Sequence, residues 1–293
     1  MLVRANAKIN LTLNILGKLE NGYHTVDMVM QSVSLADEVR VELLPGSGIE
    51  LSVSHPSLPC DERNTAYKAA ELFMEKAGIE GLVRIHIEKH IPMQAGIAGG
   101  SADAAAVFTA LNSLCGQPFT TKQLCDISKL VGADVPFCII GGTCKASGIG
   151  VDLERVEDLP DCSILICKPD IKVSTPVAYK LCDDFGYDVE RLNTKNVIDG
   201  LKTGNLYTVS SNLYNKFEEV LGLSDIKRIK NTMLLYGAVG ALMSGSGPTV
   251  YGIFNNEDRP SIEMCTAKLS ESYDDIFLAK PEKSGCVIVE EKT

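Results

Sequence analysis

The residues Pro92-Met93-Gln94-Ala95-Gly96-Ile97-Ala98-Gly99-Gly100-Ser101-Ala102 form a glycine-rich passage between two patterned segments. The alternating run VRIHIEK at 83–89 leads in, and a helical pattern through Ala104, Val107, Phe108, Leu111 and Leu114 leads out. Glycines let a backbone turn its amides outward. A helix N-terminus adds unpaired N–H groups and positive dipole, so strand, loop and helix together can cradle phosphate. The loop is not a Walker A sequence, because no Gly-Lys-Ser/Thr closes it. Nor is it the dinucleotide fingerprint: its spacing is GxxGG, and no acid-ended strand follows about 20 residues on. Taken alone, it also reads as a connection whose small residues permit tight packing.

Other residues add to it. Lys8 and Asn10 share the polar face of an alternating run, with Val3, Ala5, Ala7, Ile9, Leu11, Leu13 and Ile15 on the other face. Asp134 lies in Gly132-Ala133-Asp134-Val135-Pro136, after a helix stop and before a proline that restricts Val135. Met243-Ser244-Gly245-Ser246-Gly247-Pro248-Thr249 is a second glycine loop between apolar runs, and Tyr23 and His24 follow the turn signal Asn21-Gly22. Each has a plain structural reading: a solvated strand edge, a loop or capping carboxylate, an ordinary hairpin, a surface aromatic. Together, a strand lysine, a loop aspartate and two glycine loops fit phosphoryl transfer from a nucleotide. That reaction needs positioning, cationic stabilisation and a carboxylate beside the acceptor hydroxyl.

The elements that must position these groups are readable in part. Residues 3–15 predict a long half-buried strand, returning through 26–35 after the Asn21-Gly22 turn. Asn64 is the expected N-cap of a helix through Leu72 and Phe73 that Gly78 closes. Further helices are expected over 102–114 and from Thr120 through Leu124, Ile127 and Val131. The second half predicts strands at 163–167, 239–243, 248–254 and 275–279, with helices at 205–221, 224–235 and 259–272. The pattern lapses over 148–160, which places a boundary between domains 1–155 and 156–293 in an α+β protein.

The 293 residues suit two domains. With 28 Lys and Arg against 38 Asp and Glu, the net charge of −10 argues against a nucleic-acid partner but allows a small anionic ligand. No apolar run approaches the ~18 residues of a membrane span, and no signal-peptide core forms, so a cytoplasmic protein without a membrane partner is expected. The ten cysteines include no Cys-x-x-Cys pair, and no histidine stands at ligand spacing from one. Several lie in apolar runs, such as Cys138, Cys162 and Cys167, so buried structural thiols are expected and no protein-held metal is.

Several of these segments carry a resemblance to the GHMP kinase superfamily: AKINL at 7–11, NGYH at 21–24, NTAYKAA at 64–70, IPMQAGIAGGSADAAA at 91–106, VGADVPF at 131–137, KPDIKVSTPVAY at 168–179 and GAVGALMSGSGPTVYGIF at 237–254. The resemblance covers nearly the whole chain. It implies an N-terminal domain with a left-handed βαβ crossover and a ferredoxin-like C-terminal domain, acting on a small-molecule substrate as a monomer or weak homodimer. It implies ATP with Mg²⁺ as phosphate donor, the metal arriving with the nucleotide and held by Ser101. The narrower AKINL and NGYH motifs imply, as acceptor, the 2-hydroxyl of a cytidine-diphosphate-linked methylerythritol in non-mevalonate isoprenoid synthesis.

Residue by residue, the resemblance makes Asp134 the group that takes or orients the acceptor proton, with Lys8 beside it neutralising the moving phosphate. Asn10 lines the methylerythritol pocket. Tyr23 and Tyr179 stack on the two faces of the cytosine, and His24 reads its edge. Residues Pro92 through Ala102 hold the ATP, with Lys89 and Asn64 at the adenine end, and Gly245 and Gly247 back the diphosphate. The family loop usually reads GLGGGS and here reads GIAGGS, so either Ala98 keeps a negative φ or the loop shifts slightly.

Overall fold

The computed structural model describes residues 1–256 and 258–289. The N-terminal alternating run is β1 (Leu2–Lys18), which turns through Asn21-Gly22 into β2 (His24–Leu44). Gly22 takes φ 85°, and its N–H donates to the Leu19 carbonyl at 2.9 Å. The two strands pair antiparallel from Leu2↔Arg40 to Lys18↔His24. Next come β3 (Gly48–Val53), α1 (Thr65–Ala77) and β4 (Leu82–Glu88). β3 and β4 are adjacent and parallel, which makes α1 a crossover helix. Asn64 caps it as expected, accepting from the Ala66 N–H at 2.9 Å, and Gly78 ends it in the left-handed conformation.

The glycine passage opens α2 (Gly99–Leu114), which begins three residues before the expected start. α3 (Thr121–Ser128) has a reciprocal cap between Thr120 and Gln123. It ends at Ser128, so Val131 lies beyond the helix and not on its face. α4 (Val135–Ile140), β5 (Thr143–Ser147) and β6 (Asp152–Arg155) complete the first half.

The second half holds β7 (Ser163–Lys168), α5 (Thr175–Phe185), α6 (Asn193–Lys202), α7 (Leu206–Ser211), β8 (Tyr214–Asn215) and α8 (Lys216–Leu221). It continues through α9 (Ser224–Leu235), β9 (Gly240–Met243), β10 (Val250–Phe254), α10 (Arg259–Ser270), β11 (Asp275–Ala279), β12 (Pro281–Glu282) and β13 (Cys286–Val289). Four strands form an antiparallel sheet in the order β11-β7-β10-β9, the ferredoxin-like arrangement. The helix expected over 205–221 is two helices. Asn205 and Asn215 each cap a new start with their side chains, and β8 between them pairs parallel with β1.

Two expectations change. The second domain does not run unbroken to residue 293: β12 and β13 return to the first sheet, pairing with β2 and β1. Residues 257 and 290–293 lie outside the described residues. The polar face of β1 is also not solvated. Asn6, Lys8, Asn10, Thr12 and Asn14 are all buried, because the second half packs over them. Thr12 and Thr194 hydroxyls meet at 3.0 Å, and Asn14 donates to the Asp188 carbonyl at 2.8 Å. These bonds offset part of the desolvation, while Asn6 Oδ1 and Asn14 Oδ1 stay buried with no hydrogen-bond partner among the described residues.

Candidate active site

A cleft of about 900 Å³ lies over β1 where the two halves meet. Its floor includes Lys8, Asn10, Leu13, Val26 and Met28; the first glycine loop and the start of α2 form one wall, and residues 245–247 with Tyr179 and Phe217 form another.

The two glycine loops cross backbone to backbone. A Cβ on Gly96 (φ 74°) would run into the Ser244 carbonyl, and one on Gly245 (φ 55°) would stand 2.6 Å from the Gly96 oxygen. Hydrogen bonds fasten the crossing to β1. The Ser244 hydroxyl donates to the Gly96 carbonyl at 3.1 Å and accepts from the Asn10 N–H at 3.3 Å. The Lys8 N–H donates to the Ile97 carbonyl at 3.1 Å, and the Tyr251 hydroxyl to the Asn10 carbonyl at 2.8 Å. Strand and loops therefore form one frame.

Ala98 sits at the N-cap of α2 with φ 62° and so does not keep a negative φ, while Gln94 has φ 50°. Alanine cannot cap with its side chain, so the first-turn N–H groups of α2 have no side-chain cap and face the cleft. This is the polarity a phosphate wants.

Lys8 is buried at 4% exposure. Its Nζ donates to Asn10 Oδ1 at 2.7 Å and lies 3.6 Å from Asp134 Oδ2. Asp134 occupies the N-cap of α4, yet its side chain makes no capping bond. Its carboxylate is thus left to Lys8 and the cleft, at the end of the cavity where Ser101 and Ala133 also contribute.

The other end is aromatic. The Tyr179 ring lies 4.9 Å from Phe217, edge to face, and stacks on His24 at 4.5 Å with a 24° tilt. Burial pushes the Tyr179 phenol up to about 12, so it stays neutral. The expected sandwich is not formed. Tyr23 is 61% exposed at the hairpin tip, and His24, not a base-sized gap, covers the Tyr179 ring. Thr175 and Ser246 hydroxyls meet at 2.7 Å, tying the start of α5 to the second glycine loop.

Other expected residues divide. Pro92, Met93, Gln94, Ala95, Gly96, Ala98, Gly99, Gly100 and Ser101 line the cleft, as do Gly245 and Gly247. Ile97 and Ala102 are buried in the core instead, 1% and 0% exposed. Asn64 lines the cleft but its amide is occupied in capping α1 and in donating to the Pro59 carbonyl at 2.9 Å. The Lys89 ammonium is likewise engaged, by Asp37 and by Asp103 Oδ2 at 2.7 Å, and so shapes the wall without being free for a ligand. Thr175 and Ser246 lie in quoted motifs but were given no role there; Phe217 and Met28 were not singled out by sequence, because their neighbours in the cleft are remote along the chain. Cys138, Cys162 and Cys167 are buried free thiols, with Cys162 and Cys167 pushed up to about 12 by burial.

A helix start without a side-chain cap, a lysine–aspartate pair and a facing glycine loop are the parts that a small-molecule kinase site needs. Residues 64–142 match the family described as GHMP kinases N terminal domain, and residues 198–264 match GHMP kinases C terminal. A 4-diphosphocytidyl-2-C-methyl-D-erythritol kinase of Alkaliphilus metalliredigens is 44% identical over 259 residues, 88% of this chain and 89% of the relative. A crystal structure of 4-(cytidine 5'-diphospho)-2C-methyl-D-erythritol kinase superposes with TM-score 0.80 at 32% identity, covering 96% of this chain and 99% of the other. A homoserine kinase from Cytophaga hutchinsonii superposes with TM-score 0.81 at 19% identity, covering 99% and 97%, which is a likeness of fold. The chain belongs to the GHMP kinases, in the family of the 4-diphosphocytidyl-2-C-methyl-D-erythritol kinases.

Proposed function

We propose that this chain transfers the γ-phosphate of MgATP to the 2-hydroxyl of 4-(cytidine 5'-diphospho)-2-C-methyl-D-erythritol. The observation that carries the reading is the Lys8–Asp134 pair, 3.6 Å apart, set between an open helix start and a second glycine loop. ATP phosphates lie along Gly96 to Ser101, and the acceptor enters from the Tyr179 and Phe217 end, its diphosphate against Gly245 and Gly247. Asp134 accepts or orients the hydroxyl proton. Lys8, held by Asn10, offsets charge on the phosphoryl group as it moves. Asn10, Leu13, Val26 and Met28 give the branched polyol a floor that is mostly apolar.

Among the described residues, no group of three or more His, Cys, Asp or Glu side chains is placed to hold a metal. Ser101 and Asp134 line the cleft and are the oxygen donors that would hold a Mg²⁺ brought by the nucleotide, which would neutralise phosphate charge. Residues 1–155 with the returning 281–289 serve the nucleotide, and the intervening segment closes the acceptor side.

Incubation of the purified protein with ATP and a panel of alcohols, read by mass spectrometry, tests the reading. An 80-dalton phosphate gain (a phosphoryl group's mass, ~80) on the cytidine-linked acceptor alone is the expected result. Preferential phosphorylation of homoserine or mevalonate would overturn it.

A further inference from the structure

Lys8 and Asp134 stand on different elements, β1 and the N-cap of α4, and a residue far along the chain touches both. Gly285 lies in the connection from β12 to β13, where the C-terminal strap of residues 281–289 returns to the first sheet. β13 pairs with β1 up to Ala5↔Cys286. Just beyond that pair, the Asn6 N–H donates to the Gly285 carbonyl at 2.8 Å, and Asn6 Nδ2 donates to the Ser284 carbonyl at 2.9 Å. Asn6 precedes Lys8 by two residues, the repeat that puts side chains on one face of a strand. Gly285 also meets α4 backbone to backbone. A Cβ on Gly285 would stand 1.9 Å from the Cys138 carbonyl oxygen, and one on Gly141 would stand 1.8 Å from the Gly285 nitrogen. Cys138 is one helical turn after Asp134, and its N–H donates to the Asp134 carbonyl at 3.0 Å. The Cys286 thiol donates to the Cys138 carbonyl at 3.4 Å.

From this geometry we infer that Gly285 is a positioning residue for phosphoryl transfer: by letting the strap lie flush against α4, it holds Asp134 at its working distance from Lys8. A methyl at 285 could not be turned aside, because the atoms it meets are backbone and a Cβ has no torsion of its own. Protein interiors are close-packed, so the displacement passes to a neighbouring element. Of the two elements at Gly285, β1 is held along its length by pairing with β2. α4 is a six-residue helix that ends at Gly141, with Asp134 at its other end. The helix is therefore the part that moves, and a shift at Cys138 reaches Asp134 within one turn. Lys8 stays with the strand, so the 3.6 Å separation opens. The effect on turnover rests on the proposed kinase reaction; the effect on the separation rests on the crossing alone.

The experiment compares wild type, Gly285→Ala, Asp134→Asn and the double variant in steady-state kinetics with ATP and the cytidine-linked acceptor, beside a crystal structure of Gly285→Ala. Gly285→Ala should lower kcat by ~10–10²-fold, the scale of a misplacement of about 1 Å, and leave both KM values in place. Its structure should show Lys8 and Asp134 more than 3.6 Å apart. On the Asp134→Asn background the same change should cost almost nothing further, since substitutions that act through one group do not add. Ile288→Ala serves as the control for mere loosening of the strap: Ile288 pairs with Val3 and is 41% exposed, so trimming it adds no bulk at the crossing. It should lower Tm and leave kcat in place. If Gly285→Ala does not fold, Asn6→Ala, which releases the Ser284 carbonyl from β1, should give the same kinetic pattern with a smaller loss. An unchanged kcat in the variant that folds overturns the inference while leaving the proposed function standing. So does a loss that multiplies in full with that of Asp134→Asn, or an equal loss in Ile288→Ala. A wild type inactive on the cytidine-linked acceptor overturns the proposed function; the structure of the variant still reads the separation, and an unchanged 3.6 Å overturns the positioning as well.

Discussion

A carboxylate at a helix N-cap ordinarily bonds the first-turn amides. Asp134 makes no such bond, and faces Lys8 instead. Replacing it with asparagine should therefore cost little stability but lower kcat by ~10²–10⁴, the range for a positioned base. A thermal melt beside a steady-state assay checks this; near-normal turnover would remove the assigned role. Lys8→Ala should lower kcat by ~10²–10³ through loss of a preorganised charge. A raised acceptor KM at unchanged kcat would make Lys8 a binding residue only. These two residues were legible because strand alternation and a Gly-x-Asp-x-Pro loop mark them locally. Phe217 was not. Its partner Tyr179 is brought to it by packing, and Tyr23, legible as a motif aromatic, stays exposed at the hairpin tip.

Among the elements, the glycine loop is where alanine's backbone preference failed as a guide. Ala98 at φ 62° pays the left-handed penalty so that α2 can begin at Gly99 with its amides turned to the cleft. For an L-residue that penalty is roughly 1–2 kcal/mol, against about 0.4–1 kcal/mol of extra unfolded-chain entropy when glycine replaces alanine. Ala98→Gly should accordingly stabilise the protein by up to about 1 kcal/mol, measured as a raised urea midpoint with an unchanged slope. A lowered midpoint would show that the loop favours alanine for packing. Gly96→Ala should act in the opposite direction and strongly, because its Cβ meets the Ser244 carbonyl and no side-chain rotation can relieve a backbone clash. Strands and caps read well from sequence where a local rule governs them, as at Asn64, Gly78 and Thr120. The break of 205–221 into α7, β8 and α8 did not, since the stop comes from β8 pairing with β1, some two hundred residues away. α5 and α6 were also missed; the loops between them and β7 carry no strong period.

At the scale of the whole molecule, the site is held by a buried clasp that joins three parts of the first half. Asp37 of β2 accepts from the His90 and Ile91 N–H groups at 2.6 and 2.8 Å, fixing the chain as it enters the glycine loop. Lys89 bridges Asp37 to Asp103 of α2, so sheet, loop and helix are tied at one point. Two carboxylates share one ammonium out of water; burial, against the pull of the Lys89 charge and with the help of the Asp37 carboxylate, pushes the Asp103 carboxyl up to about 8. Asp103 Oδ1 has no hydrogen-bond partner, in keeping with a carboxyl that is not fully ionised. The sign of the consequence follows. A carboxyl whose folded-state value lies above its unfolded value of 3.8 binds more proton when folded between about pH 4 and pH 8. Stability from this group is thus complete at the acid side of that window and is lost as pH rises through it. Asp103→Asn removes the titration while keeping an acceptor for Lys89. Urea midpoints at pH 5, 6, 7 and 8 should fall for wild type relative to the variant, the difference shifting steadily in the variant's favour toward pH 8. Parallel profiles would mean that Asp103 is ionised throughout and that Lys89 alone satisfies both carboxylates. Lys89 and Asp103 border the cleft beside the start of α2, at the end away from Tyr179 and Phe217, so the same substitution should leave the acceptor KM unchanged at pH 7, which separates a loss of frame from a loss of acceptor contact.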